Sequence, residues 1–352
     1  MAFFSNFTKQ FGGKITPRYK KIYAKSKHWD GEKFENLVKT TIDVNLRTLP
    51  GLLKAQFTNV AERSPKKPIP VLPFDMKKFN ENKEKPKFVW FGHSVLLLQI
   101  NGKNLLIDPM FGSDAGPISP FGIKRFSENT LDIINQLPRI DAILMTHDHY
   151  DHLDLDSYEL LKNKVDTFFV ALGVGRHLEK WGIPKRQITE FDWWQDINFE
   201  GIHITFTPSR HFAGRGARDR AKSFWGGWVF KTAHYSIYHS GDGGYGEHFK
   251  KIAQKLGPFD LGFIECGQYN DLWRQIHLHP EEAVQATIEA EIKVSVPVHW
   301  AGFPLALHPW KEPIERFTKE AERLNVTFST PRIGEIVILG NEPNDAWYND
   351  LE

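Results

Sequence analysis

Downstream of Ala142-Ile143-Leu144-Met145 the chain reads Thr146-His147-Asp148-His149-Tyr150-Asp151-His152, an H-x-H-x-D-H spacing. The apolar run is a predicted strand, and in extended backbone residues two apart point the same way. His147 and His149 can therefore bite one metal ion. The turn that follows, toward a predicted helix, lets Asp151 and His152 reach a second ion beside the first. Imidazole and carboxylate suit zinc, and also iron or manganese. Unrelated surface histidines are the competing reading, and the aspartate in register makes it a poor one.

Such a site needs more ligands, and open α/β sheets bind theirs beyond the carboxyl ends of the strands. The candidate strand Ile202–Thr207 exits into Pro208-Ser209-Arg210-His211. Tyr235–His239 exits into Ser240-Gly241-Asp242-Gly243-Gly244, and Val294–Val298 into His299-Trp300. A carboxylate between glycine-flanked turns can bridge two ions, because glycine lets the backbone approach closely.

Other residues have two readings each. His277 precedes His279-Pro280-Glu281-Glu282, where Pro280 fits a first helical turn and the acidic pair suits its positive end. A histidine there could donate to a phosphoryl oxygen or a leaving alkoxide, or simply be satisfied at a helix entry. Arg210, Arg215, Arg218, Arg220 and Lys222 crowd the loop beside His211. They fit an anionic substrate, or a solvated loop with Asp219 as internal partner. Trp193, Trp194, Phe212, Trp225, Trp228, Tyr269 and Trp273 could line a channel for acyl chains, or fill a core. Asp108 could fix a ligating imidazole from behind, or belong only to an Asp-Pro turn. Cys266, His203 and His239 read as structural.

The elements that must position these groups are those of a large chain. Its 352 residues predict two domains or one large one. With 41% hydrophobic and 25% charged residues, collagen, coiled coil and wholesale disorder are excluded. The single cysteine excludes an intramolecular disulfide framework and a cysteine-based zinc finger, so any metal must be held by histidine and carboxylate. No segment approaches the ~18 apolar residues of a membrane span. Met1–Phe7 lacks a continuous apolar stretch, so a secretory signal is not expected and the cytoplasm is the default location.

The net charge of +2 conceals an asymmetry: residues 1–80 carry 16 Lys/Arg against 6 Asp/Glu, or +10, over a remainder at −8. The excess gathers at Lys9, Lys14, Arg18, Lys20, Lys21, Lys25 and Lys27. This arm could rest on anionic lipid or nucleic acid, or be a solvated tail or an arm that neutralises the acidic body. Residues 1–86 read as a basic extension that wraps a core, and 87–352 as the domain carrying the chemistry. Strand candidates run from Phe88-Val89-Trp90-Phe91, with Asn101-Gly102 a strong hairpin turn. They continue through Ala142–Met145, Thr167–Val170, Ile202–Thr207, Trp228–Lys231, Tyr235–His239, Leu261–Ile264 and Val294–Val298. Helical stretches are Asp154–Leu161, Gly175–Trp181, Glu247–Leu256, Pro280–Ala290 and Pro313–Asn325. Strands first, then strand–helix alternation, predict a layered α/β domain with mixed sheets.

His147-x-His149-x-Asp151-His152 followed by His211, Asp242 and His299 resembles the metallo-β-lactamase-fold hydrolases. Within them, Trp90-Phe91-Gly92-His93-Ser94, Asp192-Trp193-Trp194 and His277-x-x-Pro280-Glu281-Glu282-Ala283 resemble the N-acylphosphatidylethanolamine phospholipase D branch and its bacterial relatives. The resemblance runs from about residue 88 to 340. The loop Phe212-Ala213-Gly214-Arg215-Gly216 departs toward bacterial relatives, and Gly31–Leu37 lacks the family's Asn-Pro. The resemblance implies an αβ/βα four-layer sandwich, two mixed sheets between helices. It also implies two zinc ions per chain, one on His147, His149 and His211, the other on Asp151, His152 and His299, with Asp242 bridging. Hydroxide formed between the ions would attack phosphorus in line, with Asp151 orienting the nucleophile and His277 near the substrate phosphate. Arg210, Arg215, Tyr269 and Trp194 are the candidate substrate-binding residues.

The expected partner is a phospholipid or other anionic ester, with peripheral membrane contact through the basic arm and a homodimer as a further expectation. No nucleic acid is expected. Two alternatives stay open: a hydrolase of a small soluble ester such as a lactone or sugar-phosphate lactone, and a metal-dependent nuclease. A lipid hydrolase predicts an apolar groove at the metals, a lactonase a small closed polar pocket, and a nuclease a basic track.

Overall fold

In the computed structural model, the residues described are 9–44, 47, 48, 50, 51, 54, 62–116, 123–216 and 218–351. The expectation for Met1–Phe7 lies outside them. Two mixed sheets carry the molecule. The first is built on a hairpin: Asn101 and Gly102 have φ of 50° and 71°, the left-handed pair that a two-residue hairpin turn requires. They join β2 (Leu96–Ile100) to β3 (Lys103–Ile107). With β1 (Lys87–Trp90), β4 (Ala142–Met145), β5 (Phe168–Ala171), β6 (Ile188–Phe191) and β13 (Ile336–Ile338) they form a sheet ordered β13-β1-β2-β3-β4-β5-β6. Pairing is antiparallel from β13 to β3 and parallel from β3 to β6.

The second sheet contains β7 (Asp196–Phe199), β8 (Ile202–Thr207), β9 (Gly227–Lys231), β10 (Ser236–His239), β11 (Phe259–Glu265) and β12 (Ile292–Val298), ordered β12-β11-β10-β9-β8-β7. Its β10, β11 and β12 are parallel. Pro297 is tolerated in β12 because that strand lies at the sheet edge. Near-continuous burial along β1, β2, β4 and β10 marks strands covered on both faces. The α/β sandwich with two mixed sheets therefore holds. Three strands were not expected: β6, β7 and β13.

Helices sit where caps and apolar spacing put them. Asp154 caps Leu155–Leu161 by accepting from the Ser157 amide at 2.9 Å. Pro280 opens Pro280–Glu289, whose Glu282 accepts from the His279 amide at 3.1 Å. Glu312–Arg323 buries Ile314, Phe317 and Ala321 on one face and packs on that helix.

The chain ahead of β1 is tied to later loops. Phe34 donates its amide to Ala221 O at 2.8 Å, Ile69 to Phe126 O at 3.0 Å and Leu72 to Ile333 O at 2.8 Å. The short helix Pro17–Tyr23 turns Tyr19 and Tyr23 into the core and leaves Arg18, Lys20 and Lys21 exposed. Among the described residues no helix is long and apolar enough to cross a membrane.

Candidate metal centre

The carboxyl ends of β4, β8, β10, β11 and β12 meet at one buried cluster. At the end of β4 the loop 146–152 is pinned by Asp108, at the exit of β3. Asp108 Oδ1 accepts from the Thr146 amide at 2.8 Å, and Oδ2 from Thr146 Oγ1 at 2.5 Å and His152 Nδ1 at 2.8 Å. Asp148, between two histidines of the motif, accepts from His177 Nε2 at 2.9 Å, from the Gly214 amide at 2.6 Å and from Ser223 Oγ. The His177 Nδ1 in turn accepts from the Gly13 amide at 3.1 Å. At the end of β8, Asn36 clasps His211: its Oδ1 accepts from the His211 amide at 3.1 Å and its Nδ2 donates to His211 O at 2.8 Å. Ahead of Asp242, Gly241 has a φ of 60°, and a Cβ there would meet Gly226 O at 2.2 Å. Only glycine fits. His93, Asp108 and His299 hold left-handed φ of 54°, 44° and 67°, an uncommon conformation that concentrates at functional sites.

Ring nitrogens and carboxylate oxygens converge. His147 Nε2 lies 2.9 Å and His211 Nε2 3.2 Å from His149 Nδ1. His211 Nδ1 donates to Ile276 O at 2.8 Å, and His147 Nδ1 faces Thr146 Oγ1 at 3.0 Å, whose own proton goes to Asp108. Both Nε2 atoms thus carry lone pairs. One His149 proton cannot satisfy two of them. A cation at the meeting point does.

The second half repeats the logic with oxygens. His152 Nε2 faces Asp242 Oδ2 at 3.2 Å and Asp151 Oδ2 at 3.5 Å, and His299 Nε2 faces the same atoms at 3.0 and 3.3 Å. Because His152 gives its Nδ1 proton to Asp108, its Nε2 meets those carboxylates with a lone pair unless a proton or cation lies between. Four sets offer ligand atoms within 4.8 Å of one another: His147, His149 and His211; His93, Asp151, His152 and His299; His147, His152 and Asp242; and Asp242, Glu265, His277 and His299. Asp242 belongs to sets on both sides. The donors fit a divalent metal of the zinc, iron or manganese kind.

The electrostatics differ across the cluster. Burial, with neighbouring imidazoles, holds His147 and His211 well below the usual histidine range. Burial lowers His149 to about 4 and His93 to about 3. Burial acts the same way on His299, but Asp242, Asp151 and Glu265 together outweigh it and raise it to about 10. Asp242, Asp151 and Asp108 likewise outweigh burial at His152 and hold it well above its ordinary value.

A cavity of about 310 Å³ opens on the cluster. It is lined by His149, Asp151, Asp242, His277 and His299 together with Ile42, Val44, Phe212, Trp273, Ile276, Leu305 and Gln268. The His277 ring stands 5.0 Å from His211 and parallel to His299 at 5.3 Å.

Of the four expected substrate residues, none lines this cavity. Arg215 is buried, its Nη1 donating to Asp148 O at 2.9 Å and Leu153 O at 2.6 Å and its Nε to Gln10 O at 2.9 Å. Its Nη1 and Nε are spent on carbonyls. Tyr269 gives its hydroxyl to Glu312 at 2.5 Å and stacks on His308. Trp194 lies at the β6–β7 turn, 4.2 Å under the Lys255 ammonium. Arg210 reaches Gln275 Oε1 at 2.8 Å and lines a neighbouring polar cavity with Asp271, Arg274 and Glu282. Arg220 covers the Phe212 ring and Lys222 bonds Glu32, so the basic loop closes on itself and the amino-terminal segment. Trp193, Trp225 and Trp228 are core, while Phe212 and Trp273 do face the cavity.

Sequence reasoning missed His93, whose Nε2 donates to Asp151 Oδ2 at 2.9 Å, and Asn36, Glu265 and Gln268. The strand-end rule that selects Asp242 and His299 would have selected Glu265, the last residue of β11.

Residues 103–300 match the family model described as Beta-lactamase superfamily domain. The chain belongs to the beta-lactamase superfamily. It is a metal-dependent hydrolase of that superfamily, and its relatives include phospholipases. An uncharacterized protein of Mycobacterium tuberculosis is 40% identical over 252 residues, which are 70% of this chain and 67% of that one. The N-acyl-phosphatidylethanolamine-hydrolyzing phospholipase D 1 of Caenorhabditis elegans is 31% identical over 264 residues, 70% of this chain and 74% of its own. Among solved structures, the metallo hydrolase Igni18 of Ignicoccus hospitalis superposes on this superfamily member with a TM-score of 0.56 at 21% identity. That match covers 72% of this chain and 98% of Igni18, and shows the shared fold.

Proposed function

We propose that this hydrolase is a dinuclear phosphodiesterase of phospholipase D type, cleaving N-acyl phosphatidylethanolamine or a related phospholipid. The observation that carries this reading is the cavity, whose lining joins metal-ligand chemistry to six apolar side chains. An acyl chain fits those side chains and a phosphodiester fits the cluster. No lysine or arginine lines the cavity among the described residues, which disfavours a nucleic-acid track, and its apolar lining disfavours the small polar pocket of a lactonase. The name of the worm relative supports the same substrate class.

His147, His149 and His211 would hold one ion and Asp151, His152 and His299 the other, with Asp242 between them and zinc the favoured metal. When bound, such a pair acidifies a water and draws charge from phosphoryl oxygens. The chain's own residues set the rest. Asp151, steadied by His93, presents its carboxylate to the cavity to orient the attacking water. His277 presents an imidazole where a leaving oxygen would depart. Ile42, Trp273 and Leu305 hold acyl carbons and keep bulk water out. The exposed Arg18, Lys20 and Lys21 on the Pro17–Tyr23 helix support peripheral contact with anionic lipid.

The test is metal analysis of purified protein together with hydrolysis of a panel: N-acyl phosphatidylethanolamine, phosphatidylcholine, a lactone and single-stranded RNA. About two transition-metal ions per chain, and release of N-acylethanolamine with phosphatidic acid, are expected. Metal-free protein, or turnover of the lactone or RNA alone, would reject the reading.

A further inference from the structure

We infer that Glu265 is a positioning residue: its carboxylate fixes the tautomer of His277, so that the ring meets the substrate through Nε2. The inference rests on the reading of His277 as a proton donor, given above. Glu265 ends β11 and is 1% exposed. Burying a carboxylate is costly unless its oxygens are matched by donors. Those donors all belong to the site. Oε1 accepts from the Leu278 amide at 2.8 Å, Oε2 lies 3.0 Å from His277 Nδ1, and the same Oε2 is 3.6 Å from His299 Nδ1. The Glu265 amide is itself held by Ser240 Oγ at 3.2 Å, so the carboxylate has little freedom to turn away.

The geometry dictates where protons sit. Oε1 is committed to accepting from a backbone amide, which leaves Oε2 as the acceptor facing the imidazole. The Nδ1 of His277 therefore carries hydrogen, and Nε2 is the atom left for chemistry. As the phosphorus–oxygen bond to the attacking water forms and that to the leaving alkoxide breaks, the Nε2 proton of the protonated ring passes to the leaving oxygen. The proton given up by the water restores it, and Nδ1–H stays on Glu265 throughout. Glu265 touches no substrate. It holds the ring that does.

The experiment is Glu265→Gln in the full chain, read three ways. A glutamine satisfies the Leu278 amide through its oxygen and then offers N–H to His277 Nδ1, which forces the opposite tautomer. Long-range proton–nitrogen spectra, assigned with His277→Ala and recorded at alkaline pH on the neutral ring, are expected to show Nδ1–H in the wild type and Nε2–H in the variant. Turnover of N-acyl phosphatidylethanolamine should fall roughly 10²-fold, the usual size of a general acid–base contribution, with KM and metal content unchanged. In a His277→Ala background the same substitution should cost less than about threefold. An unchanged tautomer, an equal loss in both backgrounds, or loss of metal would each overturn the inference, the last making Glu265 a ligand. If wild-type protein cleaves no phospholipid, the functional reading falls, while the tautomer measurement still decides the role of Glu265.

Discussion

One half of the cluster is imidazole alone and the other mixes imidazole with carboxylate, and the two stand in opposite protonation states. His147, His149 and His211 are pushed toward neutrality by burial. His152 and His299, facing Asp151 and Asp242, are held protonated despite burial. The first half is therefore ready to receive a cation as it stands. The second must give up protons to do so, and metal binding there is linked to pH. Asp242 is what joins them.

That contrast can be broken most severely at its joint. Asp242→Asn is expected to cost metal and turnover together, by more than the 10–100-fold that residues behind a ligand typically cost. Metal analysis beside the kinetic assay checks it, and unchanged turnover would refute a bridging carboxylate. Asp108→Asn should act on the mixed half directly, because His152 loses the acceptor of its Nδ1 proton, and on the imidazole half through Thr146, which holds His147. Affinity for metal should fall about 10–100-fold at both halves. Competition with a graded set of chelators checks it, and a half left at full affinity would show that Asp108 supports only the other. Trp273→Ala leaves both halves alone and removes part of the apolar lining. KM for a long-chain substrate should rise about tenfold, the equivalent of ~1.4 kcal/mol of lost burial, with no change for a short-chain analogue.

The smallest effect is expected in chelator-treated protein, and its sign differs between halves. An unfolded histidine titrates near 6.5, whereas His149 is lowered to about 4. Between those values the unfolded chain binds the extra proton, so stability falls as pH drops through that window. His299, raised to about 10, contributes stability that is complete below about pH 6.5 and is lost as pH rises toward 10. Melting temperatures at acidic and alkaline pH should show His149→Asn flattening only the acid limb and His299→Asn only the alkaline limb. Both variants bending the same limb would contradict the assignment.

Much of this was legible before any coordinates. The H-x-H-x-D-H run lies in an exit loop, and loops carry chemistry when rigid strands hold them, so position in the sequence translated directly into position in space. Asp242 and His299 followed from the same rule. Strands with continuous apolar runs were visible for the same reason that they are buried. What escaped was short or polar. β7 is Asp196-Ile-Asn-Phe with half its face in solvent, and β13 is three residues long and exists because β1 offers an edge. Glu265 lies at a strand exit as Asp242 and His299 do, but without the glycines that flank Asp242 or a place in the H-x-H-x-D-H spacing to single it out. Arg215, Tyr269 and Trp194 were expected at the substrate for their chemistry, yet an arginine beside a metal loop can equally fasten that loop to backbone carbonyls. Type alone does not distinguish the two.

The clasp of Asn36 on His211 and the chain from Gly13 through His177 to Asp148 have a consequence for how the protein is made. Buttresses at Gly13 and Asn36 meet Asp148, beside the first ligands, and His211, both made well after them, and His299 follows last. No early fragment holds a complete set of donors. Full capture of metal must wait until His299 has been made, when the segments that buttress the earlier residues are already in place.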